Sequence, residues 1–232
     1  MIPMVASSYV LAATVCSIGV MFFGMHLGRR MCIMLGNCCV IVGSAIQASA
    51  MGVPQIIVGR VICGFGIGFI SSTSPTYMAE MSITAKERGP EVAQQCSWLI
   101  FGIAVAYWID FGFVQFNTQV SWRFPIAFQA VFATLSLAGM LILPDTPRRY
   151  YAQGRSEEGD SVLSLLHDLP LEHPSVQQQR KEIMDSIELE EHAENKLSLK
   201  TLVWDHTDLR VGRRIRISFL ILSIQQMMGK SF

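Results

Sequence analysis

Arg60 is an ionisable residue a short way into a long apolar stretch of the chain. In a membrane helix such a residue is costly, and it usually has an acidic partner or faces a water-filled cavity. Its side chain could alternatively extend to the nearby membrane interface. No acidic residue in the apolar segments is an obvious partner, because Asp110 lies at the outer end of its own segment. We therefore expect any partner of Arg60 to lie outside this chain.

Catalytic chemistry has little support in the same segments. They contain no paired carboxylates, no cluster of His and Cys and no Ser-His-Asp set, so we expect no enzyme, no metal site and no cofactor. The six cysteines all fall in apolar stretches without metal-ligand spacing, and we interpret them as small packing residues. The formal net charge of zero gives no electrostatic reason to expect a nucleic acid as a partner.

Charge divides the chain into an apolar part and a polar part. Only six of the 18 Lys and Arg residues and four of the 18 Asp and Glu residues lie in residues 1–143. A helix needs roughly 20 apolar residues to cross a bilayer, and the sequence predicts five such helices, near residues 4–23, 31–51, 55–78, 92–112 and 124–143. A sixth begins near Arg216 and has only thirteen uncharged residues before Lys230. We therefore expect an all-α integral membrane protein whose chain stops inside a membrane helix.

The short loops predict the orientation of these helices, because Lys and Arg collect on the cytoplasmic side of a membrane. Lys and Arg lie in alternate loops, at residues 29–30, 86–88 and 148–149, whereas residues 51–54 and 113–122 contain neither. Residues 144–214 are therefore predicted to be cytoplasmic. We expect Ser156 to cap a helix there, with Glu157 and Glu158 in its first turn, and a second helix at about 175–194. Three regions follow: a membrane part at 1–143, a cytoplasmic helical part at 144–214 and the start of a second membrane part at 215–232.

Glycines are concentrated between Gly59 and Gly68 in the third predicted membrane helix. Their spacing is wrong for a dinucleotide-binding loop, and no soluble strand precedes them. Glycines four residues apart, such as Gly64 and Gly68, let a neighbouring helix backbone approach closely. We therefore interpret this segment as a helix-packing surface.

Several short motifs follow one another in a characteristic order along the whole chain. They are Gly28-Arg29-Arg30, Gly59-Arg60, Gly64-x-Gly66-x-Gly68, Pro75-Thr76-Tyr77-Met78-Ala79-Glu80, Arg88-Gly89, Ser121-Trp122-Arg123-Phe124-Pro125, Pro144-Asp145-Thr146-Pro147-Arg148-Arg149-Tyr150 and Gln225-Gln226-x-x-Gly229. In this order and spacing the chain resembles the sugar porter family of the major facilitator superfamily. The segments Tyr107 to Gly112 and Ser121 to Gln129 look most like its fungal members, including a branch that carries glycerol with protons.

The resemblance implies a partial major facilitator superfamily fold. Members of the family have twelve membrane helices in two halves, joined by a cytoplasmic helical domain. This chain would correspond to helices two to six, the cytoplasmic domain and the start of helix seven. The implied activity is transport of a sugar or polyol, with protons as a further partner, by alternating access across a lipid bilayer. The plasma membrane is the implied location.

The resemblance also implies roles for individual residues. The paired amides Gln225 and Gln226 would bind substrate hydroxyls, since a glutamine amide both donates and accepts hydrogen bonds. Without that context the pair could be ordinary polar residues at a helix start. Arg60 matches an arginine that pairs with an acidic residue of helix one in proton-coupled members. A cytoplasmic ion-pair network that breaks as the inner gate opens is implied for Arg29, Arg30, Glu80, Arg88 and Arg148. Topology alone, with positive charges kept inside, is the equally weighted alternative for this set.

The chain departs from the family pattern at several of these positions. Met25 and His26 replace an acidic residue and an arginine of the first cytoplasmic loop. The family's substrate-binding glutamine on helix five falls on Cys96, and the asparagine expected after Gly229 is Ser231. A smaller polyol therefore becomes more plausible as the substrate, beside a sugar.

Because helix one and most of the second half would be missing, we expect this chain to be inactive as a transporter by itself. The alternative is a membrane protein that does not transport. It would be a half-transporter that associates with a relative, or a sugar sensor.

Overall fold

The computed structural model describes residues 2–82, 88–115 and 120–194, together with Ile217, Leu220 and Ile224. The described elements are all helical. They are α1 (Ile2–Leu27), α2 (Arg29–Ala48), α3 (Val53–Met81), α4 (Arg88–Val114), α5 (Val120–Ile142), α6 (Pro147–Ala152), α7 (Ser156–His167) and α8 (Pro174–Glu194).

The first five helices lie where the sequence predicts five membrane helices. Four of them, α2 to α5, are long and apolar enough to cross a membrane, which confirms those four predictions. In the described part of α1 the apolar stretch is shorter, Ser7–Val20, so a fifth span stays a prediction. The start of the predicted sixth helix lies outside the described residues, apart from three single positions. The contacts between residues divide the chain into two compact units, Met1–Arg180 and Lys181–Phe232. In the second unit, the hydroxyl of Ser186 donates to the carbonyl of Ile183 within α8.

Helix α3 packs tightly against two neighbours through two sets of glycines. A Cβ added at Gly64 would lie 2.5 Å from the carbonyl oxygen of Tyr9 in α1. On another side of α3, a Cβ at Gly66 would lie 2.6 Å from the carbonyl oxygen of Gly36 in α2. Small residues permit such close backbone contact between membrane helices. The packing role predicted for the glycines is therefore confirmed.

Helices α2 and α5 are antiparallel neighbours, and an arginine near the start of each helix binds carbonyl groups at the end of the other. Near the start of α2, Arg30 donates from Nε to the carbonyl of Met140 (2.9 Å) and from Nη2 to that of Leu141 (2.8 Å). Near the start of α5, Arg123 donates to the carbonyl of Ala50, just beyond the end of α2 (2.9 Å). Each guanidinium thus satisfies carbonyls at the negative end of the partner helix.

Helix α4 is much less covered than α2 or α3. Many of its large apolar side chains are more than half exposed, including Trp98, Phe101 and Trp108. A cavity of about 670 Å³ separates α4 from α5 and is lined mostly by aromatic and aliphatic groups. An apolar surface of this kind is compatible with lipid or with further helices as neighbours.

Partly buried polar contacts join α6, α7 and the start of α8. The hydroxyl of Tyr151 in α6 donates to Asp160 of α7 (2.6 Å), and Asp160 also pairs with Arg180 of α8 (3.0 Å). Burial and this hydrogen bond both raise the pKa of Tyr151 above its usual range. The side-chain amide of Gln179 in α8 donates to the carbonyl of Ser82, directly after α3 (3.2 Å). These contacts connect the start of α8 to the end of a membrane helix.

One prediction about α7 was wrong. Ser156 is the first residue of α7 and not its cap, because Arg155 occupies the cap position and no side chain caps the helix. Glu157 and Glu158 do lie in the first turn, as expected. The side chain of Arg155 forms an ion pair with Glu158 in the first turn of α7.

The six cysteines differ in burial. Cys16, Cys32 and Cys63 are buried, Cys39 is half-buried, and Cys38 and Cys96 are exposed. The packing role predicted for all six therefore fits the three buried cysteines and does not fit the two exposed ones.

We expect the substitution Gly66→Ala to destabilise the protein by about 1–3 kcal/mol, because its Cβ would overlap backbone atoms that cannot move aside easily. Gly139→Ala in α5 is the matched control, since a Cβ there meets no atom within 4 Å. That control should be neutral or stabilising by up to about 1 kcal/mol, because alanine is the better helix former. Thermal unfolding of the purified protein in detergent measures both, and equal melting temperatures would contradict this account of the α2–α3 contact.

Candidate functional site

An ion pair joins the start of α2 to the end of α3. Nη2 of Arg29 lies 3.0 Å from Oε1 of Glu80, and the two side chains are only 20% and 9% exposed. The second carboxylate oxygen of Glu80 is buried and has no hydrogen-bond partner among the described residues. A carboxylate so placed depends on Arg29 for its charge compensation.

A second acidic residue, Asp145, lies at the centre of contacts between α2 and the α5–α6 connection. Asp145 is 4% exposed. Its carboxylate pairs with Arg149 and accepts from the backbone N–H groups of Thr146 (2.9 Å) and Arg30 (3.5 Å). The hydroxyl of Tyr77 in α3 donates to the carbonyl of the preceding residue, Pro144, at 2.9 Å. Asp145 therefore holds the starts of α2 and α6 together beside α3.

Gly28 makes this arrangement possible at the α1–α2 turn. Its φ of +86° is one that residues with a side chain rarely adopt. A Cβ at Gly28 would also overlap the guanidinium of Arg149. The glycine thus permits both the turn and the close approach of Arg149 to it.

The predicted gate residues are only partly brought together. Arg29 and Glu80 form a direct pair, whereas the Arg30 guanidinium bonds to the end of α5. Arg148 is half-buried on α6, and the side chain of Arg88 lies outside those described. Asp145, Arg149 and Tyr77 were not predicted as site residues. The signal was present, because all three belong to the motifs that supported the resemblance.

Arg60 lies near the start of α3 and is half-buried. Its Nε is buried and has no hydrogen-bond partner among the described residues. The expectation of an acidic partner outside this chain stays a prediction.

Of the predicted substrate residues, the structure describes only Cys96, which is exposed on α4. Next to it, the amide of Gln95 donates to the hydroxyl of Ser74 in α3 (3.2 Å). Gln225, Gln226 and Ser231 lie outside the described residues. In the described part of the chain, no three His, Cys, Asp or Glu residues come close enough to hold a metal ion.

The helices and their packing define a multi-pass integral membrane protein with part of a major facilitator superfamily fold. The proton:xylose symporter XylE bound to 6-bromo-6-deoxy-D-glucose aligns with a TM-score of 0.74 over 86% of this chain and 45% of that one. The inward-open conformation of XylE from E. coli aligns with a TM-score of 0.68. Sequence identity is 19% in both cases, so the likeness concerns the fold alone.

The chain belongs to the sugar transporter family, because the family model described as Sugar (and other) transporter matches residues 1–232. Sugar transporter STL1 of Saccharomyces cerevisiae is 37% identical over 196 residues, which are 83% of this chain and 34% of that protein. MFS-type transporter oryC of Aspergillus oryzae is 37% identical over 72% of this chain and 31% of its own length. The chain therefore spans about a third of the length of the curated relatives that it matches.

A double-mutant cycle on Arg29 and Glu80 tests the ion pair. We expect Arg29→Met to destabilise more than the double substitution Arg29→Met with Glu80→Gln, because the single change leaves a buried carboxylate unpaired. The coupling free energy should be about 1–3 kcal/mol, measured by unfolding in detergent.

Arg155 and Glu158 provide the matched control, since their side chains are 54% and 49% exposed. An exposed pair is worth about 0.2–1 kcal/mol at most. If the two cycles gave equal coupling, burial would not be what strengthens the Arg29–Glu80 pair.

Proposed function

We propose that this chain forms part of the first half of a transporter that moves a sugar or polyol across the plasma membrane by alternating access. Membership of the sugar transporter family and the superfamily fold support the class of activity. The observation that carries the proposal is the largely buried ion pair between Arg29 and Glu80, with Asp145 and Arg149 beside it. All of these groups lie at the helix ends that the loop charges predict to be cytoplasmic.

The group formed by Arg29, Glu80, Asp145 and Arg149 is suited to act as a gate that opens and closes between helices. Its contacts join three separate segments, namely the start of α2, the end of α3 and the α5–α6 connection. Charges that are paired in one arrangement can be hydrated in another, so such contacts can favour one of two packing states without fixing it. Arg30, Arg88 and Arg148 share this side of the membrane and would add to the same network.

The substrate would bind between the two halves, near the middle of the membrane. Neutral hydrogen-bonding groups suit the hydroxyls of a substrate, and they would be supplied by Gln225, Gln226 and Ser231. Cys96 on α4 occupies the position at which the family has a further substrate-binding glutamine. Arg60, whose Nε has no partner among the described residues, would pair with an acidic residue of another segment and couple transport to protons.

The test is a chimera in which this chain replaces the matching segment of STL1 from S. cerevisiae. The chimera supplies the helices that complete two halves, so uptake of labelled glycerol, xylose or glucose by cells lacking their own transporters is expected. This chain expressed alone should give no uptake, because a cavity between two halves needs both. A folded chimera at the cell surface that moves none of the three solutes would overturn the proposal.

Within the chimera, Gln225→Ala should raise the KM for uptake by about tenfold, because a hydrogen bond to the substrate is lost. The matched control is Gln177→Ala, on an exposed glutamine near the start of α8. Uptake as a function of substrate concentration measures both variants. The same KM in both would remove Gln225 from the substrate site.

Arg60→Gln should abolish the dependence of uptake on a proton gradient while leaving exchange of substrate across the membrane. The physical reason is that a neutral side chain no longer discriminates between the charged and neutral forms of its acidic partner. Arg155→Gln, in an exposed cytoplasmic turn, serves as the control. Uptake is measured with and without a proton ionophore, and an unchanged response to the ionophore in Arg60→Gln would refute the coupling role.

A further inference from the structure

A cavity of about 280 Å³ lies between α1 and α3, beside Arg29. Among the described residues it is lined by Ser17, Val20, Gly24, Arg29, Ser72, Thr73 and Thr76. Four of these seven residues carry hydroxyl groups. Binding sites between the helices of a bundle commonly combine a concave shape with a few converging polar groups, and this volume suits a small ligand.

The packing of α1 against α3 explains where the cavity opens. The two helices touch closely at Gly68, where an added Cβ would lie 2.7 Å from the carbonyl oxygen of Ala13. Beyond this contact, Gly24 has no side chain to fill the space, and a Cβ there would meet only the side chain of Val20. The cavity is therefore a consequence of small residues on both helices.

The hydrogen bonds already made in the walls determine what the cavity can bind. Ser17 donates its hydroxyl hydrogen to the carbonyl of Ala13 (2.9 Å), and Ser72 donates to that of Gly68 (2.7 Å). Their oxygen lone pairs remain available as acceptors. The guanidinium of Arg29 has five N–H donors, of which the bond to Glu80 uses one. A ligand must therefore both donate and accept.

Charge further narrows the class of ligand. Arg29 is the charged group among the described wall residues, and its pairing with Glu80 compensates that charge, so no net charge attracts either a cation or an anion. An anion would also face the lone pairs of the serine oxygens. A small neutral molecule with several hydroxyls satisfies both kinds of wall group and brings no charge.

We propose that this α1–α3 cavity is a second binding site for a small neutral polyol or sugar, at the cytoplasmic end and adjoining the Arg29–Glu80 ion pair. The inference rests on the proposed function for the class of substrate, although the site itself is formed by described residues of this chain. A ligand bound here would contact the ion pair directly, so occupancy would bias the arrangement of the gate.

Binding can be tested on the purified chain in lipid nanodiscs prepared without sugar detergents. Saturation-transfer-difference NMR with glycerol and with D-glucose should give a signal, whereas 1,4-dioxane, which lacks hydroxyls, should give none. Thr76→Val keeps the side-chain shape and should weaken binding by about fivefold, the effect of one lost hydrogen bond. Gly24→Leu should abolish the signal by filling the cavity.

Thr134→Val is the matched control, because Thr134 is an exposed threonine on α5, away from the cavity, that donates to its own helix. Its signal should equal that of the unmodified chain, and size-exclusion profiles should show that every variant is folded. An equal signal in folded Gly24→Leu, or no signal from the unmodified chain, would overturn the site. If the chimera takes up substrate while either of these results is obtained, the α1–α3 site is rejected and the transport proposal stands. If the cavity variants lose the signal while the chimera takes up nothing, the transport proposal is rejected and the α1–α3 site stands.

Discussion

The close contact of α3 with both α1 and α2 is the interaction on which the other features depend. In a bilayer the hydrophobic effect does not drive helices together, so association relies on backbone approach and dispersion between small residues. Gly64 and Gly68 provide this approach toward α1, and Gly59 and Gly66 provide it toward α2. Because α3 is fixed on two sides, Arg60 near its start and Glu80 near its end are held at defined places relative to their neighbours.

Polar groups secure the ends of the bundle, where water and backbone carbonyls are available. Arg30 and Arg123 are placed reciprocally, each at the carboxyl end of the other's helix. Between them, the amide of Asn37 donates to the hydroxyl of Ser136 (3.0 Å) and joins α2 to α5 within the membrane. The α2–α5 pair is thus held at both ends and in the middle, and it forms a rigid support for the ion pair at the start of α2.

The start of α2 combines this support with contacts that can be exchanged for water. Arg29 and Glu80 lie beside a cavity with hydroxyl groups in its walls, and Asp145 joins the same region to α6. Gln179 connects the start of α8 to the end of α3. A change in the packing of α3 would therefore be transmitted both to the ion pair and to the start of α8, through contacts between neighbouring groups.

Local properties of the sequence determined the approximate places of the first five long helices, since the length of an apolar run decides whether a helix can cross a bilayer. They also predicted the packing role of Gly64 and Gly68, but not that Gly59 and Gly66 serve a second neighbour. The tertiary structure alone selected Asp145 as the partner of α2, because its bond to Arg30 joins residues 115 positions apart. It also placed Arg155, not Ser156, at the cap of α7. Helix spans depend on local composition, whereas the pairing of charges depends on which helix ends the packing brings together.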